Sequence, residues 1–475
     1  MKALAIDQGT TSTRALLVDA GGVHPVLSRE HRQIYPASGH VEHDPEELLA
    51  SLLACLAVAP PVDCVGLANQ GESCLAWDAH TGRAITPVIV WQDGRTAAAC
   101  ARLKEQGHEA LVLDRAGLPL DPYFSGSKLG WIMAHVPEAA ALLAQGRLRL
   151  GTTDAFFRDR LTGRFETDPT TASRTALYNL RTGGWDGELC ALFGVPMAAL
   201  PAIRPTTGDL GHLPGGQRLT ASVVDQQAAL YGHGCRRPGD AKITFGTGAF
   251  ALTLTGGLAA APGLLPTVAW AEDGSAPVHA LEGGVYAASS AINWAHGLGL
   301  FRDWAEIDGF DAPPAISRGI AFVPALAGLA APHWDRAARG AWMGLGLDTT
   351  PRDMAQAVLE GVAFRTAEVM AAMAQALPLA DPVSIDGGMS RNPWFCRFLA
   401  DVLGRTVRVS DEPELTALGT AQLAAQGMGG ELVAIPRGRL LSPRPVPGAW
   451  HACFHAARDA VQGFALAGAP PGSVA

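Results

Sequence analysis

Two short stretches of the sequence share a pattern that constrains the fold more than any other feature. Ile6-Asp7-Gln8-Gly9-Thr10 precedes an apolar run at 15–18, and Ile243-Thr244-Phe245-Gly246-Thr247 precedes a similar run at 251–254, about half a chain length later. Each stretch predicts two strands joined by a glycine-threonine turn, which is a β-hairpin. A hairpin of this kind at the start of each half predicts two related domains.

The segments after each hairpin predict the α/β class. After the first, Asp44 can cap a helix that has Pro45 in its first turn and Glu47 completing a capping box, and an apolar run of strand length follows at 62–70. After the second, Thr350 and Pro351 open a long helix. A buried strand at 383–388 and a helix at 393–403 follow it. Strands alternating with helices in both halves indicate an α/β fold.

The boundary between the halves is predicted in the segment 232–240, which is rich in glycine, proline and charge. We therefore expect an N-terminal domain at 1–233, a C-terminal domain at 234–465, and a frayed tail at 466–475.

The charge pattern limits the partners. The chain has 475 residues, a net charge of -9, and no block of consecutive lysines or arginines, which argues against nucleic acid and an anionic membrane surface as partners. No apolar run approaches the roughly 18 residues of a membrane-spanning helix, and no secretory signal is evident. Eight scattered cysteines without a Cys-x-x-Cys pair suggest a reducing compartment. We expect a cytoplasmic protein whose partner is a small molecule.

The two turns have the chemistry of a phosphate site. Backbone N–H groups and hydroxyls are the donors that phosphate oxygens need, and two such turns facing each other would clamp a triphosphate. Asp7 beside such a turn is electrostatically unfavourable unless a cation lies between, which points to Mg²⁺. The residues alone leave open the alternative that Gly9 and Gly246 serve only as turn residues. Neither a Walker nor a Rossmann glycine motif is present.

An ordered set of motifs, covering roughly residues 3 to 430, closely resembles the glycerol kinase branch of the FGGY carbohydrate kinases. The motifs are AIDQGTTSTRALLVD, GHVEHDPEEL, VIVWQDGRT, DPYFSGSKLGWI, DQQAALYG, FGTGAFAL, DGGMSRNPWFCRFLADVLG and ELTALGTAQLA. The resemblance implies two actin-like, ribonuclease-H-like ATPase domains with the active site in the cleft between them. It also implies transfer of the γ-phosphate of ATP, with Mg²⁺, to a small polyol or sugar.

Carried over residue by residue, the resemblance implies a nucleotide site drawn from both halves. Phosphate contacts fall on Thr10, Thr11, Ser12 and Arg14 in the first turn and on Gly246, Thr247 and Gly248 in the second, with Ser289, Asn293, Gly388 and Asn392 near the adenosine. Asp7 and Asp225 would lie on the side of the metal. Ser289 and Asn293 stand where glycerol kinases typically have Gly and Gln.

The resemblance also implies an acceptor site. Asp225 matches the general base, and Gly71, Glu72, Trp91, Tyr123, Gln226 and Phe250 match positions around the polyol. A base is chemically reasonable because an alcohol is a poor nucleophile that must lose its proton during phosphoryl transfer. The alternative, that Asp225 caps the helix that follows it, is compatible with this role.

Two departures from the family pattern concern the acceptor. Gly71 stands where glycerol kinases have the arginine that grips two hydroxyls, and Val223 and Val224 precede Asp225 where the family commonly has a glycine. Losing each charge-assisted hydrogen bond costs glycerol about 1.5–3 kcal/mol. We therefore expect a tetritol such as erythritol, or another polyol, in preference to glycerol.

Three other readings stay open at this stage. The chain could be a pentulose kinase such as a xylulokinase or ribulokinase, or a true glycerol kinase. A rival from a different class is an ATPase switch of the Hsp70 and actin type, which shares the phosphate turns. A homodimer is an open expectation.

Overall fold

The computed structural model describes residues 1–432 and 437–464; the predicted tail at 466–475 lies outside these residues. In chain order the strands are β1 Ala3–Gln8, β2 Ser12–Asp19, β3 Gly22–Glu30, β4 Glu42–His43, β5 Cys64–Asn69, β6 Cys74–Asp78, β7 Val88–Ile89, β8 Leu148–Thr152, β9 Glu166–Thr167, β10 Tyr178–Asn179, β11 Gly184–Trp185, β12 Ala202–Ile203, β13 Leu219–Val224, β14 Ala241–Phe245, β15 Ala249–Thr255, β16 Leu265–Trp270, β17 Val278–Val285, β18 Ala321–Val323, β19 Ala341–Met343, β20 Val383–Gly387, β21 Val407–Ser410 and β22 Gly438–Leu441.

The helices alternate with these strands through both halves. They are α1 Pro45–Ala57, α2 Ala97–Glu105, α3 Glu109–Ala116, α4 Ser125–His135, α5 Pro137–Ala144, α6 Thr153–Thr162, α7 Pro169–Ala172, α8 Gly187–Phe193, α9 Asp225–Gly232, α10 Ser289–Gly297, α11 Pro351–Ala376, α12 Pro393–Leu403, α13 Leu415–Gly427 and α14 Gly448–Gly463. Short 3₁₀ helices cover Met197–Ala199, Trp304–Ile307, Ala315–Arg318 and Gly388–Arg391.

The repeated hairpins occupy equivalent places in two sheets, as the sequence predicts. In the first sheet, of order β13-β5-β1-β2-β3, β1 pairs antiparallel with β2 and parallel with β5. In the second, of order β16-β17-β15-β14-β20-β21-β22, β14 pairs antiparallel with β15 and parallel with β20. Ile6 faces Ala15 in one register and Ile243 faces Ala251 in the other. The similarity of the two halves is therefore topological as well as sequential.

A helix from the second half covers one face of the first sheet. Along β1, Leu4 and Ile6 belong to an apolar cluster with α1 on one face, whereas Ala3 and Ala5 belong to a cluster with α9 and α13 on the other. Side chains on a strand alternate between faces, so the small alanines face α9 and α13 and allow these helices to approach the sheet closely. The cleft is thus closed on one side by packing between the halves.

Most predicted elements are found with small changes at their ends. The helix predicted from Thr350 is α11, with Thr350 as its cap, and the helix predicted at 393–403 is α12. Asp44 caps α1 by accepting from the Glu46 N–H, but Glu47 completes no capping box and instead lies 3.6 Å from Arg32. The cap interpretation of Asp225 is wrong: α9 begins at Asp225 itself, and Val224 holds the cap position.

Candidate active site

Hydrogen bonds stabilise the first hairpin turn, and part of the turn stays accessible to solvent. The Gly9 N–H donates to the Ser12 carbonyl at 3.0 Å, and the Thr10 carbonyl lies 3.0 Å from the His31 ring Nε2. Thr11 is exposed, and Thr10 and Ser12 are half-buried. The hydroxyls predicted to contact phosphate are therefore accessible.

Asp7 and Arg14 form an ion pair at the base of this turn. One Arg14 nitrogen lies 2.7 Å from the Asp7 carboxylate, and another lies 2.7 Å from Glu414, the residue before α13. Asp7 faces Arg14 across the hairpin, because the two residues are register partners of β1 and β2. Arg14 thus links the first turn to the second half of the chain.

The second turn is supported by the start of α10. The Gly246 and Thr247 carbonyls accept N–H groups of residues 288–290 at 2.9–3.1 Å, while Gly246 and Thr247 themselves are exposed. Gly248 is buried, and a Cβ there would lie 2.5 Å from the Val285 carbonyl oxygen. Only glycine fits this position, so the turn packs directly on β17.

The four residues predicted near adenosine line one cavity of about 470 Å³. Ser289, Asn293, Gly388 and Asn392 share this cavity with Ile292, Trp304, Ile307, Asp308, Leu359, Met389 and Arg391. The preceding Gly387 has φ +91°, and a Cβ there would lie 2.3 Å from the Phe245 carbonyl oxygen. This close contact brings the cavity next to the end of β14 and hence to the second turn.

The Asn392 side chain also builds the wall of this cavity. Its Oδ1 accepts the Phe395 N–H at 2.7 Å and so caps α12, and its Nδ2 donates to the Ile307 carbonyl at 2.8 Å. Asn392 therefore joins α12 to the 3₁₀ helix that carries the half-exposed Trp304.

A buried ion network surrounds Glu72, one of the residues predicted at the acceptor site. Glu72 is 4% exposed with φ +57°, and the Arg174 Nε donates to it at 2.5 Å. Another Arg174 nitrogen donates to Glu282 at 3.0 Å, while Nη1 is buried without a partner among the described residues. Burial raises the pKa of Glu72, and the Arg174 charge opposes that shift. Burial also raises the pKa of Tyr123, and the Glu72 charge adds to it.

Asp225 lies in the first turn of α9, within electrostatic reach of two other carboxylates. Its Oδ1 accepts the Gln226 N–H at 2.6 Å. Burial raises the pKa of Asp225 to about 7, and the negative charges of Asp7 and Glu72 contribute to the increase. The three acids from β1, the loop after β5 and α9 are thus close enough to interact electrostatically.

The aromatic residues predicted at the acceptor site are only partly brought together. Trp91 and Tyr123 contact edge to face, with ring centroids 5.6 Å apart. The Trp91 indole N–H also donates to the Thr10 hydroxyl at 3.0 Å, a link from the acceptor side to the phosphate turn. Phe250 is half-buried on β15 opposite Thr244, and no ring contact joins it to Trp91 or Tyr123 within the described residues.

Gly71 lies just after β5, next to Val224 at the end of the neighbouring strand β13. A Cβ on Gly71 would lie 3.3 Å from Val224 Cγ1, and Val224 is 3% exposed. The space in front of Gly71 is therefore partly filled by the isopropyl group of Val224. The surface beside Gly71 is therefore apolar, and Val224 occupies part of the space that a side chain at position 71 would need.

The donor set near the first turn fits Mg²⁺. The residues described by the structure include no group of three or more acidic, histidine or cysteine side chains able to hold a metal. Asp7 and Asp225 are carboxylates close enough to repel each other. Asp7 already pairs with Arg14, so Mg²⁺ would share this carboxylate with the guanidinium. Mg²⁺ is commonly held by one or two carboxylates together with phosphate oxygens and water, a set that Asp7, Asp225 and a bound nucleotide would supply.

Several residues of the site were not predicted from the sequence. Arg174, Lys242, Glu282 and Trp304 lie outside the motifs that carry the family resemblance, and their contacts join them to residues of other elements. The one signal in the sequence is a charged residue within an apolar run, as at Lys242 in β14, because such a position predicts an unusual buried charge.

Comparison with known proteins decides the family. A profile of the FGGY family of carbohydrate kinases, N-terminal domain, matches residues 2–221, and that of the C-terminal domain matches residues 241–428. A glycerol kinase from Methylobacterium nodulans is 44% identical over 449 residues, covering 90% of this chain and 89% of the relative. The chain belongs to the FGGY family of carbohydrate kinases.

Another relative and two solved structures are similar to this chain in sequence or in fold. A glycerol kinase from Thermus brockianus is 44% identical, over 91% of this chain and 92% of its own. The structure of Plasmodium falciparum glycerol kinase with ADP has a TM-score of 0.89, with 28% identity over 98% of each chain. The xylulose kinase of Lactobacillus acidophilus, at 20% identity and a TM-score of 0.87, shows the same fold.

Family membership establishes the class of enzyme. FGGY carbohydrate kinases are ATP-dependent phosphotransferases that use Mg²⁺ and act on small sugars or polyols, so the two-domain actin-like fold and the kinase class predicted from the sequence are confirmed. An ATPase switch of the Hsp70 and actin type is not supported. No helix among the described residues is long and apolar enough to cross a membrane.

Proposed function

We propose that this FGGY kinase transfers the γ-phosphate of ATP to a terminal hydroxyl of a small polyol, with Asp225 as the general base and a tetritol preferred over glycerol. ATP would occupy the two turns and the cavity around Ser289, Asn293, Gly388 and Asn392. The acceptor would lie by Glu72, Tyr123, Gln226 and Trp91. The expected location is the cytoplasm.

The observation that carries this proposal is the position of Asp225. It lies at the start of α9 with its carboxylate fixed by the Gln226 N–H, and the charges of Asp7 and Glu72 help to raise its pKa to about 7. Phosphoryl transfer needs one acceptor for the hydroxyl proton, and a carboxylate fixed at this position can serve as that acceptor. Bound Mg²⁺ would neutralise charge on the phosphates, and Asp7 and Asp225 would be the carboxylates that hold it.

The preference for a tetritol rests on the wall formed by Gly71 and Val224. This wall offers no charged donor, so an acceptor as short as glycerol loses the hydrogen bonds that an arginine would provide. The buried Arg174 Nη1 lacks a partner among the described residues and belongs to the guanidinium that holds Glu72. A fourth hydroxyl on a longer polyol supplies one more oxygen to accept from such donors.

The substrate test is a coupled ADP-release assay over glycerol, erythritol, threitol, pentitols, xylulose and ribulose. We expect acceptor-dependent ADP with the highest kcat/KM for a tetritol. If none of these acceptors releases ADP, the proposal of a small-polyol kinase is wrong. If glycerol has the highest kcat/KM, the kinase assignment holds and the tetritol preference is wrong.

Glycerol is the second candidate acceptor, and a specific observation favours it. The curated relatives that cover about 90% of this chain at 40–44% identity are glycerol kinases. Replacing Gly71 by arginine together with Val224 by glycine restores the family pattern and separates the two cases. The double variant should gain activity on glycerol relative to erythritol if the Gly71 and Val224 wall controls the choice.

The proposed base is tested by Asp225→Asn. We expect kcat to fall about 10²- to 10⁴-fold, as for loss of a general base, with ATP binding retained. Activity of Asp225→Asn within about tenfold of the wild type would contradict the assignment.

A further inference from the structure

A buried lysine reaches the acceptor side from the second half of the chain. Lys242 lies on β14 with no exposed surface, and its Nζ donates to Gln226 Oε1 at 2.6 Å and to Thr244 Oγ1 at 3.0 Å. β14 runs into the second phosphate turn, whereas Gln226 lies in the first turn of α9 beside Asp225. One ammonium group thus joins the nucleotide half to the acceptor residues.

The position is costly for a charged side chain, which indicates a specific use. A fully buried ammonium loses its hydration and is stable only with close polar partners. The carboxylates that act on Lys242 are Asp386, Glu282 and Asp225, all at the cleft. Asp386 faces Thr244 in the parallel pairing of β14 and β20 and lies 3.3 Å from the His233 ring.

The lysine fixes the orientation of the Gln226 amide. An ammonium group donates hydrogen bonds and accepts none, so the amide oxygen of Gln226 must face Lys242. The amide Nε2 is then turned away from the lysine, and Gln226 is only half-buried. A fixed amide of this kind presents its N–H₂ group as a donor and offers no acceptor at the same place.

We propose that Lys242 is a positioning residue that holds Gln226 so that its side-chain N–H₂ donates to a hydroxyl oxygen of the acceptor. This inference rests on the proposed function, in which Gln226 contacts the acceptor. It further implies that the oxygen facing Gln226 is bound through a lone pair, so a hydroxyl or carbonyl satisfies the site and a methylene at that position does not.

The test is a double-mutant cycle of Lys242→Met and Gln226→Met, read by steady-state kinetics with erythritol and glycerol. If Lys242 acts through Gln226, Lys242→Met should raise the acceptor KM about 3- to 10-fold, as for loss of one hydrogen bond, and leave the KM for ATP within about 2-fold. Adding Lys242→Met to Gln226→Met should change the acceptor KM little further, because the two changes remove the same interaction.

Independent effects of the two substitutions on acceptor KM would overturn the proposal, as would an equal increase in the KM for ATP. A crystal structure of Lys242→Met provides a readout that needs no turnover: the Gln226 side chain should leave its present rotamer, and an unchanged Gln226 would contradict its positioning by Lys242. If Lys242→Met does not fold, Lys242→Leu, which also has no hydrogen-bond donor, takes its place in the cycle. A wild-type protein that phosphorylates no polyol would instead refute the proposed function, so the two failures are distinguishable.

Discussion

At the scale of single residues, the first phosphate turn is supported by a buried polar network. Gln70 lies at its centre: its Nε2 is 3.3 Å from the His43 ring and 3.5 Å from Gln8 Oε1, and its Oε1 accepts from the Ser73 hydroxyl at 3.2 Å. The Ser73 hydroxyl in turn accepts from the backbone N–H of Trp91 at 3.1 Å. Groups of this kind are stabilising only while each keeps its partner, so residues outside the predicted phosphate contacts support the turn.

Trp91 offers the first test of this network. Trp91→Phe keeps an aromatic ring but removes the indole N–H that donates to Thr10 at 3.0 Å. Loss of one hydrogen bond, worth about 0.5–1.5 kcal/mol, should raise the KM for ATP or lower kcat by about 2- to 10-fold. The measurement is steady-state kinetics with ATP varied at saturating acceptor.

Trp185→Phe is the matched control for this substitution. It removes a similar indole hydrogen bond, to the Pro201 carbonyl at 2.7 Å, outside the cleft. It should change stability without changing KM for ATP. If both variants have the same kinetics, the contact between Trp91 and Thr10 has no catalytic consequence.

His43 gives a pH-dependent prediction. It has no exposed surface, its Nε2 lacks a partner among the described residues, and burial lowers the pKa of its ring to about 4. The unfolded chain takes up this proton near pH 6.5, so the stabilising contribution is complete above pH 6.5 and is lost as the pH falls toward 4. The free energy of unfolding should decrease by about 1.4 kcal/mol per pH unit from this group in that window.

Urea unfolding of the wild type and His43→Gln at pH 7.5, 6.0 and 5.0 measures this slope. In His43→Gln, the number of protons taken up on unfolding in this pH window should be smaller by about one, so the slope of unfolding free energy against pH should be shallower. His212→Gln, at an exposed site, should keep the wild-type slope. Parallel slopes for the wild type and His43→Gln would show that His43 does not stay neutral in the folded protein.

At the scale of elements, the packing of α9 against α13 controls the position of Asp225. A Cβ on Gly419 would lie 1.8 Å from the Ala228 carbonyl oxygen, and one on Gly232 would lie 2.0 Å from the Leu415 carbonyl oxygen. The two helices therefore touch through their backbones. Since α9 begins at Asp225, any separation of the helices displaces the proposed base.

Gly419→Ala should therefore affect stability and activity together. Overpacking of a tight contact typically costs about 1–3 kcal/mol, and kcat should fall because α9 shifts. Urea unfolding and kcat measure the two effects. Gly448→Ala is the control, because Gly448 lies in the first turn of α14 and a Cβ added there would have no atom of another part of the chain within 4 Å. A Gly419→Ala protein with wild-type stability would contradict this helix contact.

The sequence was informative about elements with local signals and uninformative about contacts between distant elements. The hairpins, the capped start of α11 at Thr350 and the helix from Pro393 follow from turn residues, caps and periodicity, and the structure contains them. No local pattern predicts that α13 packs on the first sheet. The same holds for Val224 in front of Gly71, since the two residues are far apart in sequence and meet only through the pairing of β13 with β5.

At the scale of the whole molecule, the two halves are joined by charged groups on both sides of the cleft. Arg14 of the first hairpin pairs with Glu414 before α13, and Arg336 of the second half donates to Asp121 at 2.8 and 3.0 Å. Asp121 also accepts the Tyr123 N–H at 2.9 Å. The proposed acceptor and nucleotide sites are thus each connected to the opposite half, and a ligand that contacts both halves should stabilise them together.

The nucleotide provides the final test, because its predicted phosphate contacts come from both halves. Ligand that binds only the folded state stabilises it by about 2.7 kcal/mol at a concentration 100 times its Kd. A hydrogen bond to a charged group is worth about 1.5–3 kcal/mol, so Thr11→Val in the first turn and Thr247→Val in the second should each reduce the increase in Tm caused by ATP with Mg²⁺. Thr182→Val, at an exposed turn in neither hairpin, should keep the full increase. Differential scanning calorimetry with ATP and Mg²⁺, repeated after chelation of the metal by EDTA, measures these increases in Tm. If Thr247→Val reduces the increase in Tm and Thr11→Val does not, the phosphates are held by the second half alone. The clamp of two turns is then wrong.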